Sequence, residues 1–222
     1  VGPQGAVGTR EQFHDLQIPT YILPSDCEGK NNRVGADGTR LEAFRIDTLY
    51  KSIRQLAEIF DVQARGEQLV AGYQTRLAKA VEHARKADGK QVSAVFWFSS
   101  PDINVDPYVA GRKGIPAFML DTLGMRNVID SDEEWPTVGW ETIARANPDI
   151  LVIARMDRRR FPADDHEKKL AFLKSDPVTR NMAAVKQNRI VIMDASAMES
   201  SVRLFDGIEQ LGDAVHRVTD VQ

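Results

Sequence analysis

The sequence holds a single cysteine, Cys27, in 222 residues, so no internal disulfide forms and the fold rests on its core. It has no run approaching the roughly 18 consecutive apolar residues of a membrane-spanning helix. Val1 opens no positively charged, apolar leader, and a mature or truncated exported chain reads the same way. A basic surplus is missing as well: the formal charge is -3 and the pI is near 5.9, which argues against nucleic acid as the main partner. Catalytic signatures are absent, with no G-x-S-x-G elbow, no Walker phosphate loop and no G-x-G-x-x-G turn after a strand. Cys27 has no histidine close in sequence to serve as its base, so the chain is read as no enzyme. His14, His83, His166 and His216 are scattered, and His166-Glu167 lacks the second histidine of a metalloprotease helix. Each histidine is read as solvent-exposed, with no metal site and no resident cofactor expected.

Hydrophobic residues make up 42% of the chain and charged residues 27%, enough apolar material to predict a packed core. Residues 1–8 (VGPQGAVG) read as a loop, and 18–23 (IPTYIL), a branched and aromatic run ending at Pro24, predicts a short buried strand. Residues 27–39 are polar and contain glycine, which predicts a loop. Asp47 stands as N-cap to a helix whose Leu49, Ile53, Leu56 and Phe60 share one face. Residues 66–87 contain no proline and repeat Leu69, Tyr73, Leu77, Val81 and Ala84 along one stripe. At 1.5 Å per residue that helix is about 33 Å long, enough to bridge two lobes.

Beyond residue 87 short apolar runs alternate with helical stretches, the rhythm of a parallel α/β layer structure. Residues 91–98, 127–129, 149–154 (DILVIA) and 189–193 (RIVIM) read as four strands. Helices are expected over 115–123, with Pro116 in the first turn and Gly124 as the stop, and over 140–146, ended by Asn147-Pro148. Two more follow over 168–174 and along the final stripe Leu204, Ile208, Leu211 and Val215.

In open α/β sheets ligands settle outside the carboxyl ends of the strands, where loops and helix N-termini converge. That rule selects loops 99–113, 130–139, 155–163 and 195–202. The first follows Trp97 and Phe98 and carries Asp102, Asp106, Tyr108 and Arg112. Since strand residues alternate faces, at least one of Trp97 and Phe98 belongs to the core, while Tyr108 and Arg112 lie well into the loop. The second loop contributes Trp135. The third carries Arg155, Arg158, Arg159 and Arg160, whose planar donor forks suit carboxylate or phosphate groups, against the alternative of a solvated basic loop. The candidate ligand-binding set is Trp97, Phe98, Tyr108, Arg112, Trp135, Arg155 and Arg158.

From Gln12 onward the order of segments resembles the binding proteins of metal-chelate ABC importers, which handle siderophores, haem and cobalamin. The resemblance runs through the long helix and then VFWFSSP, PYVAGRKG, LDTLGMRNVI, WPTVGWETIARANPDILVI and LKSDPVTRNMAAVKQNRIVIMD. It implies two α/β, Rossmann-like lobes joined by one long helix, with the ligand in the cleft between them. Residues 1–65 then form the remainder of an N-terminal lobe, 66–87 the backbone helix and 88–222 the C-terminal lobe. About 90 further residues ahead of Val1 are expected of a family member. The resemblance also implies a periplasmic protein or cell-surface lipoprotein, a monomer, that docks on a membrane permease through an acidic residue shortly before the last helix. Glu199 stands there, with a helix-start carboxylate as the competing reading. The expected ligand is an anionic metal chelate, an Fe(III) siderophore first, with haem and cobalamin open. The alternatives are a zinc- or manganese-ion binding protein of the same architecture and an α/β enzyme or sensor domain using the strand-end crevice.

Overall fold

The computed structural model describes residues 8–31, 39–85 and 91–219. The chain divides into two compact units, Val1–Val70 and Ala71–Gln222.

In the first unit α1 (Arg10–Asp15) is opened by a capping box, in which Thr9 and Gln12 satisfy each other's backbone N–H groups. The strand expected over 18–23 does not form: Ile18 and Tyr21 are exposed and no strand among the described residues pairs with the run, so its β propensity has nothing to act on. The chain instead enters α2 (Pro24–Cys27), with Pro24 at the first helical position. Of the loop expected over 27–39, residues 32–38 lie outside the described ones; in the rest Cys27 closes α2, and β1 (Lys30–Asn31) pairs antiparallel with β2 (Thr39–Arg40). α3 (Ile46–Ile59) is capped by Arg45 rather than Asp47, which lies in the first turn where its charge meets the helix dipole. Of the expected stripe only Leu49 is buried; Leu56 and Phe60 are exposed, and Thr48, Tyr50, Ser52 and Ala57 fill the packed face. α2 meets that face through Ser25, whose backbone N–H donates to the Ser52 hydroxyl at 3.0 Å.

α4 (Gln63–Arg85) starts a turn earlier than the 66–87 helix read from the sequence, and its expected last two residues lie outside the described ones. The division between the units falls within this helix. Gly66 permits close approach to α3, since a Cβ there would sit 2.6 Å from that of Ala57.

The second unit is built on β3 (Ser93–Ser99), β4 (Tyr108–Val109), β5 (Arg126–Asn127), β6 (Ile150–Arg155) and β7 (Ile190–Asp194). β3, β6 and β7 are parallel neighbours, and β5 joins β3 in parallel beside Ser93 and Ala94. β4, missed because two residues show no period, pairs antiparallel with the far end of β3. Val152 to Ala154 and Ala94 to Trp97 are buried, as befits strands covered on both faces. One face, with Val95, Trp97, Leu151 and Ile153, packs on α6 (Trp140–Ala146), α7 (His166–Ser175) and α8 (Ala183–Lys186) through Trp140, Ile143, Leu173 and Val185. α5 (Ile115–Thr122) and α9 (Leu204–Thr219) meet at Gly207, where a Cβ would fall 2.9 Å from the Met119 methyl and 3.1 Å from the Met193 sulfur. Gly124 at φ +68° and Asn147 at φ +44° end their helices as the sequence predicts.

α4 is tied to α9 by Arg76, which donates to Glu209 Oε1 and Oε2 at 2.7 Å each and to Asp206 at 2.7 Å. The same guanidinium lies over the stacked rings of Tyr73 and Phe205. Next along the two helices, His83 and His216 stack with centroids 4.1 Å apart, and His83 pairs with Asp213 at 3.1 Å. His216 and His166 are half-buried, contrary to the exposed reading: His216 stacks on His83 of α4, and His166 pairs with Glu167 on its own helix.

Candidate functional site

The parallel register puts Ser99, Arg155 and Asp194 at one edge of the sheet, so the loops after β3, β6 and β7 share a rim. Loops 99–113 and 130–139 form one structure there: Val109, Gly111 and Arg112 donate their backbone N–H groups to Pro136, Glu134 and Ser131. Gly111 is required by that contact, because a Cβ would lie 1.9 Å from the Glu133 carbonyl oxygen.

Phe98 and Trp135, both half-buried, are brought together on this rim as a stacked pair with centroids 4.5 Å apart and planes 27° apart. Tyr108 is 37% exposed, bridged to Thr137 and beside the end of β3. Trp97 is removed from the candidate set: it is fully buried, its indole N–H donates to Ser100 at 2.9 Å, and its ring meets Trp140 edge-on. Alternation along β3 sends it into the core and leaves Phe98 at the rim.

Acidic partners engage most of the rim arginines. Arg112 pairs with Asp130, with Asp132 3.9 Å away, and Arg155 lies 3.6 Å from Asp194. Arg159 pairs with Asp165 at 3.2 Å and Arg160 covers the Phe161 ring. Arg158 is exposed and has no side-chain partner among the described residues. The Ser196 hydroxyl, donating to Asp194 at 2.5 Å, holds that carboxyl below the usual carboxylate range, and the Ser196 amide and Arg155 add to the effect. Glu199 is exposed at the end of a short 3-10 helix (Ala195–Met198), five residues before α9, so it is not a first-turn carboxylate. Among the described residues no three His, Cys, Asp or Glu side chains gather into a group able to hold a metal ion.

A buried polar cluster under the rim was not legible in the sequence. Lys169 on α7 is fully buried; its ammonium donates to the Phe98 carbonyl at 2.6 Å and lies 3.7 Å from Asp164. Asp164 accepts from the Ser99 hydroxyl at 2.9 Å and the Ser100 amide at 3.0 Å. Burial pushes the Lys169 ammonium down to about 8, with Asp164 opposing the shift. In a run of two lysines, the one signal for burial is that Lys169 precedes the core residue Leu173 by four positions.

The chain matches the periplasmic binding protein family model over residues 1–197. Similar solved structures include a periplasmic binding protein from Veillonella parvula, at 21% identity and TM-score 0.76, covering 97% of this chain and 68% of that one. An Fe3+-hydroxamate transport system protein from Saccharomonospora viridis aligns at 24% identity and TM-score 0.70, over 94% of this chain and 66% of that one. A periplasmic heme binding protein from Pseudomonas aeruginosa aligns at 19% identity and TM-score 0.72, over 93% and 67%. The chain thus spans about two thirds of the length of these structures. No curated protein sequence matches it. With a largely parallel α/β sheet and a family match across most of its length, the chain belongs to the periplasmic binding protein family.

Proposed function

We propose that the chain works as the solute-binding part of a periplasmic ABC importer component, taking an anionic metal chelate, foremost an Fe(III) siderophore, on the strand-end rim of its second unit. The observation that carries this reading is the placement on one strand-end rim of an aromatic stack, Phe98 on Trp135, and, in the loop after β6, an arginine with no side-chain partner among the described residues, Arg158. Aromatic faces suit the organic shell of a chelate, and a guanidinium fork suits its carboxylate or hydroxamate oxygens. The family membership and the Fe3+-hydroxamate and heme names of the structural neighbours support the ligand class. Recognition is then the whole task, and the ligand leaves unchanged.

Titration of tryptophan fluorescence against ferric siderophores, haem and cobalamin tests the reading. Quenching by a ferric siderophore, weakened about ten-fold by Arg158→Ala, is expected. No response to any compound, or chemical conversion of one, rejects it. The Phe98–Trp135 stack also favours a second ligand, haem, because it offers a flat face; a Soret shift with haem and silence with siderophores would select it. Delivery to a permease is assigned to exposed Glu199, so Glu199→Ala is expected to leave binding intact and reduce uptake.

A further inference from the structure

We propose that the buried pair Lys169–Asp164 is a positioning device that completes a β-bulge at Phe98 and so holds the Phe98 ring on Trp135 in the orientation the ligand needs. This rests on the ligand-binding reading of the rim given above. The register between β3 and β4 pairs Trp97 with Val109 but Ser99 with Tyr108, so Phe98 is the extra residue of a bulge. A bulge re-aims one side chain and leaves that residue's backbone outside the ladder. Lys169 supplies the missing partner, donating to the Phe98 carbonyl at 2.6 Å from a fully buried position. Asp164 holds the next two residues, through the Ser99 hydroxyl and the Ser100 amide, and Ser100 in turn receives the Trp97 indole N–H. Phe98, Ser99 and Ser100 are therefore each bonded to a member of one ion pair, Trp97 is tied to it through Ser100, and Phe98 stacks on Trp135.

The mutual attraction of the two charges does not by itself account for this arrangement. A buried ion pair is commonly matched or bettered by apolar side chains of the same volume, because desolvation offsets the attraction. What apolar residues cannot do is bond a bulge carbonyl and two donors of the adjoining turn at once, and leaving those groups unpaired in the interior is costly.

The test compares the purified protein with Lys169→Met/Asp164→Asn, which removes both charges while keeping an acceptor for the Ser100 amide and a donor that the Ser99 hydroxyl can accept. The first readout needs no ligand: the emission of Trp135, taken as the difference between each protein and its Trp135→Phe counterpart. A red shift is expected as the stack loosens, with cooperative unfolding retained. The second is a double-mutant cycle with Phe98→Ala on the affinity for whichever panel compound binds. A loss of about ten-fold from the double charge removal, absent once Phe98 is already alanine, is expected of residues acting through Phe98. Unchanged Trp135 emission, or effects that simply add, would overturn the proposal. Should the double variant fail to fold, Asp164→Asn alone is expected to give the same red shift at smaller size, and its absence counts equally against the device. If no compound binds the unaltered protein, the ligand reading fails while Trp135 emission still judges the clamp.

Discussion

Of the twelve large hydrophobic residues exposed among the described ones, nine lie in the first unit, which holds under a third of the chain, and three in the second. The difference has a structural cause. In the second unit β3 and β6 are buried along most of their length, and the helices find apolar partners on the sheet or on one another, as Trp140, Ile143 and Leu173 do on one face and Phe205 does on Tyr73. Among the described residues of the first unit the only ladder is two residues long, and α3 buries Leu49 and Ala57 but leaves Ile59 and Phe60 exposed. Amphipathic spacing marks a side chain as able to enter a core; a second layer decides whether it does.

The largest test of this contrast is Ile153→Ala at the centre of β6. It is expected to cost about 2–5 kcal/mol of the second unit's stability in urea denaturation, and a loss near zero would mean that this core is loosely packed. Lys169 gives the next. Its folded pKa of about 8 is below the ordinary 10.5, so between those values the unfolded chain holds more protons and stability rises with pH. The gain, about 3 kcal/mol at most, accrues from pH 8 to 10.5 and is absent below 8; urea midpoints of the protein relative to Lys169→Met should diverge accordingly. In the first unit Gly66→Ala must push α4 off α3, at a cost of about 1–3 kcal/mol read by thermal melting. Arg76→Met, which strips the two carboxylate pairs but keeps some cover over Tyr73 and Phe205, should cost about 1 kcal/mol, less in high salt. Smallest is Phe60→Ser, expected within about 0.5 kcal/mol and accompanied by reduced binding of an apolar dye; a large loss would show that Phe60 is covered in solution.

The parallel strands were readable because a strand buried on both faces must be continuously apolar, as in ILVIA of β6. Helix ends were readable where a residue permits only a stop, as at Gly124 and Asn147-Pro148. The run IPTYIL misled, since it has the composition of a strand but no strand to pair with among the described residues. At the candidate site, the strand-end rule pointed to the loops in which Phe98 and Trp135 come together, while Trp97 went to the core. Which arginines are engaged depended on acids distant in the chain: Asp194 stands 39 positions after Arg155, and Asp130 stands 18 after Arg112.

Composition, periodicity and stop residues were therefore enough to establish an α/β chain with a long helix and a candidate rim, since each is a property of neighbouring residues along the backbone. The fate of individual polar side chains was settled only by folding. Lys168 is exposed and Lys169 buried, although they are adjacent and chemically identical, because the helix turns about 100° between them and only one meets Asp164 and the bulge carbonyl.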